Sequence, residues 1–96
     1  MVNLPEVFEK YDDEYRKFER VENKLHPKRE ICAFLLLDRL LPTTDSGMVC
    51  AAETDELFLA ADCKKLAEVA TDNDILTLIR CGVHYDSRTD SLAMFV

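Results

Sequence analysis

The apolar positions of this chain repeat with a helical period at the start and lose their sidedness near residue 31. After residue 48 they alternate between short strand-like and helix-like stretches. Leu4, Phe8, Tyr11, Tyr15 and Phe18 follow one another at spacings of four and three, the repeat of one helix face. The opposite face, Glu9, Lys10, Asp12, Asp13, Arg16, Lys17 and Arg20, is charged throughout. Asn3 with Glu6 is a helix-start signal, and Pro5 is tolerated in a first turn. The stripe therefore predicts one amphipathic helix running to about residue 23. Its 4-11-18 component has the heptad spacing of helix–helix seams, so the stripe either covers the chain's own core or meets a second copy.

A second helix is predicted from "HPKRE", with Pro27 in its first turn. Its "ICAFLLL" segment at 31–37 is apolar on every side, the pattern of a central, buried helix, and Pro42 stops it. "PTTDSG" at 42–47 reads as a loop. "MVCAA" and "ELFLA" flank the polar "ETD" as a hairpin. Asp62 is placed to cap a short helix over 63–70, with Cys63, Leu66, Ala67 and Ala70 apolar. Thr71 and Asp74 form a capping-box-like start for another over 72–81, driven by Ile75, Leu76, Leu78 and Ile79. Gly82 stands where a left-handed residue ends a helix. "VHYD" and "SLAMFV" then flank "SRT" as a second hairpin, the latter apolar on both faces and so a covered strand. The expected fold class is α+β: two N-terminal helices, a hairpin, two short helices and a C-terminal hairpin. Together they form a small antiparallel sheet packed by helices, in a single domain spanning 1–96.

Composition narrows the function. Apolar residues make up 48% of the chain, with two Gly and three Pro, as in a packed globular protein rather than a disordered tail. The net charge is −7 and uneven: residues 1–44 hold nine acids against eight bases, residues 45–96 ten against four. Such a surface repels phosphates and anionic lipid, so nucleic acid and membrane are not the expected partners. No apolar run approaches the roughly 18 residues of a membrane span, and "MVNLPEVFEK" lacks a secretory pattern; a cytoplasmic location is expected. Cys32, Cys50, Cys63 and Cys81 include no tight C-x2-4-C knuckle, and each has apolar neighbours, so they read as reduced core residues.

The densest candidate chemistry is "RCGVHYD" at 80–86. Cys81 falls in the last turn of a predicted helix, where the backbone dipole raises a thiol's pKa instead of activating it. His84 and Asp86 share one strand face, where the carboxylate would favour a charged imidazole. The stretch reads as a helix cap leading into a strand, with no catalytic residue assigned. His26 reads as part of the start of the second helix. No phosphate-binding or nucleophile-elbow motif is present, and two glycines leave little room for one. "ETDE" at 53–56 lacks the alternating acids and central Gly of a calcium loop. No metal or cofactor is expected.

"KLAEVATDNDILTLIRCGV" followed by a hairpin is similar in order to a winged helix-turn-helix. That resemblance implies a second helix reading DNA through polar and basic residues. The exposed positions here are Asp72, Asn73, Asp74, Thr77 and Arg80, and Arg88 on the wing is countered by Asp86 and Asp90. The shape is better suited to protein contact. The leading expectation is a small acidic, non-enzymatic protein-interaction module that self-associates as a homodimer. It would be an adaptor or inhibitor, for instance an accessory factor of a mobile element, facing a protein partner with a basic surface. Its candidate interface is Phe8, Tyr11, Tyr15, Phe18, Glu53, Asp55 and Glu56. The alternatives are a winged-helix-like regulator contacting nucleic acid and a small-ligand binder or enzyme using His84.

Overall fold

The computed structural model describes residues 2–22, 24–42 and 49–95. Along these, α1 (Leu4–Lys10) is followed by two single-turn 3₁₀ helices (Asp12–Glu14 and Phe18–Arg20) and α2 (Arg29–Leu40). Then come β1 (Val49–Ala52), β2 (Glu56–Leu59), α3 (Cys63–Val69), α4 (Asp72–Arg80), β3 (Val83–Asp86) and β4 (Ser91–Phe95). The class is α+β, as the pattern predicts. The two hairpins join through β2 and β4 into one antiparallel sheet of order β1-β2-β4-β3. Most of the predicted "PTTDSG" loop, residues 43–47, lies outside the described residues, as does the side chain of Cys50.

The short helices form where local signals agree. The Asp62 carboxylate accepts the N–H groups of Lys64 and Lys65 at 3.0 and 3.2 Å. Thr71 and Asp74 make the reciprocal capping box, each side chain bonded to the other's backbone N–H, at 3.2 and 2.9 Å. Gly82 has φ +99° and closes α4 with its N–H on the Ile79 carbonyl. On the sheet's core face Leu59, Leu92, Met94 and Val83 are each exposed by 2% or less. They meet Leu4 and Val7 of α1, Leu36 and Leu37 of α2, Leu66 of α3, and Ile75, Leu78 and Ile79 of α4 in one buried cluster.

Three expectations for the N-terminal half are overturned. The helix predicted to run to residue 23 ends at Lys10, capped by Tyr11. Arg16 then takes φ +64°, which no helix accommodates. The aromatic stripe is real, but the chain bends to pack it across α4. The Arg16 N–H donates to the Ile79 carbonyl at 3.0 Å. The Glu14 carboxylate binds Arg80 at 3.0 Å and Arg20 at 2.7 Å, and Arg80 also donates to the Arg20 carbonyl. Periodicity reads only local spacing, and these long-range bonds outweigh it. Similarly, α2 is not buried on every side: Cys32, Ala33, Leu36 and Leu37 are, while Ile31 and Leu35 are 37% and 43% exposed. Pro27 lies before the helix rather than in its first turn, and His26 Nδ1 accepts the Lys28 N–H at the entry.

Candidate functional site

The "RCGVHYD" stretch has one buried end and one end at a surface groove. Cys81 is the C-cap of α4 and fully buried, and its thiol is pushed up to about 12 by burial first and by the neighbouring Cys32 second, with Arg29 opposing. The direction matches the dipole argument, but loss of solvent is the dominant cause. Cys63, at the start of α3, is pushed up to about 11, again mainly by burial. Neither thiol has the exposure that makes a nucleophile, and the Arg29 charge near Cys81 does not offset its burial.

Three residues later the strand places His84 on the sheet face opposite the core. The register puts His84 across from Ala93, and Glu56 across from Phe95. Opposed residues share a face, so His84, Phe95 and Glu56 converge there although they come from three strands. His84 Nε2 lies 2.8 Å from Glu56 Oε2, and its ring stacks on Phe95 with centroids 4.8 Å apart. The Tyr15 hydroxyl lies 3.5 Å from Nδ1, its ring edge-on to the imidazole. A carboxylate only accepts, so Nε2 carries a proton toward Glu56, and Nδ1 is the atom that faces the Tyr15 hydroxyl. Burial leads in raising the Tyr15 pKa, keeping that hydroxyl protonated as a donor.

The carboxylate beside His84 is thus Glu56, and the pair suggested by the sequence, His84 with Asp86, does not form. Asp86 accepts instead from the backbone N–H and the guanidinium of Arg88, bonds that hold its carboxyl below the usual range. Tyr85 donates to Asp90 at 2.6 Å, and this bond leads in pushing its phenol up to about 12.

Next to this cluster, between α1 and β3, is a groove of about 530 Å³. Phe8, Tyr15, His84, Tyr85 and Phe95 give it aromatic walls, and its carboxylates are Glu9 and Asp12, both exposed. That volume lies within the roughly 300–1,000 Å³ of ligand pockets. Of the expected interface residues, Phe8 and Tyr15 line the groove. Tyr11 and Phe18 pack against the core cluster and carry the ammonium groups of Lys10 and Lys24 over their rings, each at 5.1 Å. Glu53 and Asp55 are exposed at the β1–β2 turn, and Glu56 is turned toward His84. The sequence signal for the groove is the spacing of Pro5, Phe8, Glu9 and Asp12, which are neighbours on one side of a helical turn. Nothing local couples that side to His84.

On the helix resembling a recognition helix, the N-terminal segment bonds the C-terminal end, through Arg80 to Glu14 and the Arg20 carbonyl and through the Ile79 carbonyl to the Arg16 N–H, while Asp72 and Asn73 are exposed. Among the described residues, no group of three His, Cys, Asp or Glu side chains is placed to hold a metal ion. No helix there is long and apolar enough to cross a membrane. No family model, curated protein or solved structure matches this chain.

Proposed function

We propose that the chain is a non-enzymatic interaction module that binds a basic surface of a protein partner through the groove beside β3. The make-up of that groove carries the reading: aromatic walls with Glu9 and Asp12 as its carboxylates, in a chain of net charge −7. Aromatic faces and carboxylates both attract ammonium and guanidinium groups, and the attraction grows as water leaves. Chemistry is the weaker reading. His84 is held between Glu56 and Tyr15, and the nearest thiol in sequence, Cys81, is buried with a raised pKa. Reading of nucleic acid is weaker still, because α4 begins with Asp72, Asn73 and Asp74 and its one base, Arg80, is paired with Glu14.

Self-association belongs to the same proposal. Ile31 and Leu35, one turn apart on α2 and among the exposed large apolar residues, form an adjacent apolar pair for a second copy to cover. Sedimentation of the wild type and of Leu35→Glu tests it: a dimer dissociated by the substitution is expected, and a wild-type monomer at high concentration ends this part of the reading.

The decisive experiment for the module itself is affinity capture from lysate after nuclease treatment, comparing the wild type with a Glu9→Lys/Asp12→Lys variant. A stoichiometric protein partner retained by the wild type and lost by the variant is expected. Recovery of nucleic acid alone, or equal capture by both forms, overturns the reading.

A further inference from the structure

The groove is a hollow and not a slot. Phe8 of α1 packs on Tyr85 of β3 with ring centroids 6.1 Å apart, so the seam between these two elements is closed to another backbone. From that seam the lining runs across His84 to Phe95 on the neighbouring strand β4. A partner therefore reaches the hollow with a side chain, and a volume of about 530 Å³ accommodates a long one. Two features of the lining fix the chemistry of that side chain. The first is unpaired charge. Among the described residues, no hydrogen bond or ion pair reaches the carboxylates of Glu9 and Asp12, whereas Glu56, Glu14 and Asp86 are paired with His84, Arg80 and Arg88. The second is flat aromatic surface. Phe95 stacks on His84 at 4.8 Å and is still 43% exposed, and Phe8, Tyr15 and Tyr85 are partly exposed in the same groove.

Taking the interaction-module reading as given, we propose that the groove receives one arginine side chain of the protein partner, its guanidinium held by Glu9 and Asp12 and its plane lying on the aromatic wall. Lysine and arginine both answer the charge, but only a guanidinium answers both features. It is planar and weakly hydrated, and it stacks on a ring while its N–H groups bond carboxylates. An ammonium is a compact charge that holds its water. Arg16 and Arg29 set their own charges near the Tyr15 hydroxyl, so an incoming cation is favoured beside Glu9 and Asp12 and not at that end.

The test is a titration of the full ¹⁵N,¹³C-labelled chain with three capped pentapeptides, Gly-Ser-X-Ser-Gly, in which X is arginine, lysine or citrulline. Citrulline keeps the planar shape of arginine without its charge. With the arginine peptide, saturable shifts of the Phe8, Tyr15, Tyr85 and Phe95 ring signals are expected. Binding should be about threefold weaker with lysine, and about tenfold weaker with citrulline or with a Glu9→Gln/Asp12→Asn variant, whose two positions are exposed. Lysine bound as well as arginine at these same rings overturns the guanidinium site while a basic-partner module stands. Citrulline bound as well as arginine overturns both, since charge is then not what the groove reads. Ring shifts on concentrating the chain alone make a second copy the occupant and overturn the partner's arginine. If the arginine peptide shifts no groove signal at millimolar concentration, the site is overturned, and the capture experiment decides the module separately.

Discussion

Gly82 is the point where α4 becomes β3, and so it fixes where His84 enters the sheet. Its φ of +99° lies in a region that L-residues adopt only with strain of about 1–3 kcal/mol. A Cβ at this position would sit 2.9 Å from Arg29 Nη1 and 3.6 Å from Arg16 Cγ. The first of these is the end of a flexible side chain, whose ion pair with Glu30 at 3.2 Å is partly exposed and worth at most about 1 kcal/mol. Alanine also narrows the unfolded ensemble, which offsets about 0.4–1 kcal/mol. Gly82→Ala is therefore expected to lose about 1–2 kcal/mol, or roughly 4–16 °C in Tm at about 4–8 °C per kcal/mol for a domain of this size. Urea unfolding followed by circular dichroism, with an unchanged m-value, measures the loss. The same substitution in an Arg29→Ala background separates strain from contact. If the loss there vanishes, or is under about 0.3 kcal/mol in the wild-type background, backbone conformation is not what requires glycine.

Other parts of the fold give equally direct expectations. Thr71→Ala removes one half of the α4 capping box and should cost about 1 kcal/mol in the same assay, whereas a cost near zero would mean the cap is redundant. Leu78→Ala, at a fully buried position, should lose about 2–5 kcal/mol; a loss below 1 kcal/mol would mean the core closes over the gap. Glu14 is held below its ordinary value of 4.5 by the hydrogen bond from Arg80 first and by Arg20 next. A depressed folded-state pKa contributes stability that is present above the unfolded value and lost as pH falls through the folded one. Glu14→Gln should thus be less stable than the wild type at pH 7, with the gap closing below about pH 4.5; a gap that is independent of pH refutes the assignment. With thiols near 11 and 12, Cys63 and Cys81 hold about a thousandth or less of their population as thiolate at pH 8, so both should resist alkylation until urea unfolds the chain. Modification at free-thiol rates in the folded protein contradicts their burial.

Much of the C-terminal half was legible in the residues themselves, because each signal there is local. Asp62 caps the helix it precedes, Thr71 and Asp74 cap each other across three positions, and Gly82 supplies the one conformation that ends α4. Hairpins are local as well, so "ETD" and "SRT" marked their turns without knowledge of the sheet. Helical period over 4–18 was equally clear but misled about length. Spacing cannot register that Glu14 meets Arg80 or that Arg16 bonds to Ile79, contacts between residues more than 60 positions apart.

The candidate site follows the same division. The residues alone placed His84 on a strand just after a capped helix, put Cys81 at the end of that helix among apolar neighbours, and made the chain acidic. Only the tertiary structure chose the partners of His84. Joining the two hairpins through β2 and β4 sets a register that brings Glu56 and Phe95 to its face, and the bend after Lys10 delivers Tyr15 to its other nitrogen. The same assembly leaves β3 at an edge with α1 beside it, which is what opens the groove. Capping and turn chemistry act over a few residues and are written in the chain, whereas strand order and register are decided by which faces bury together.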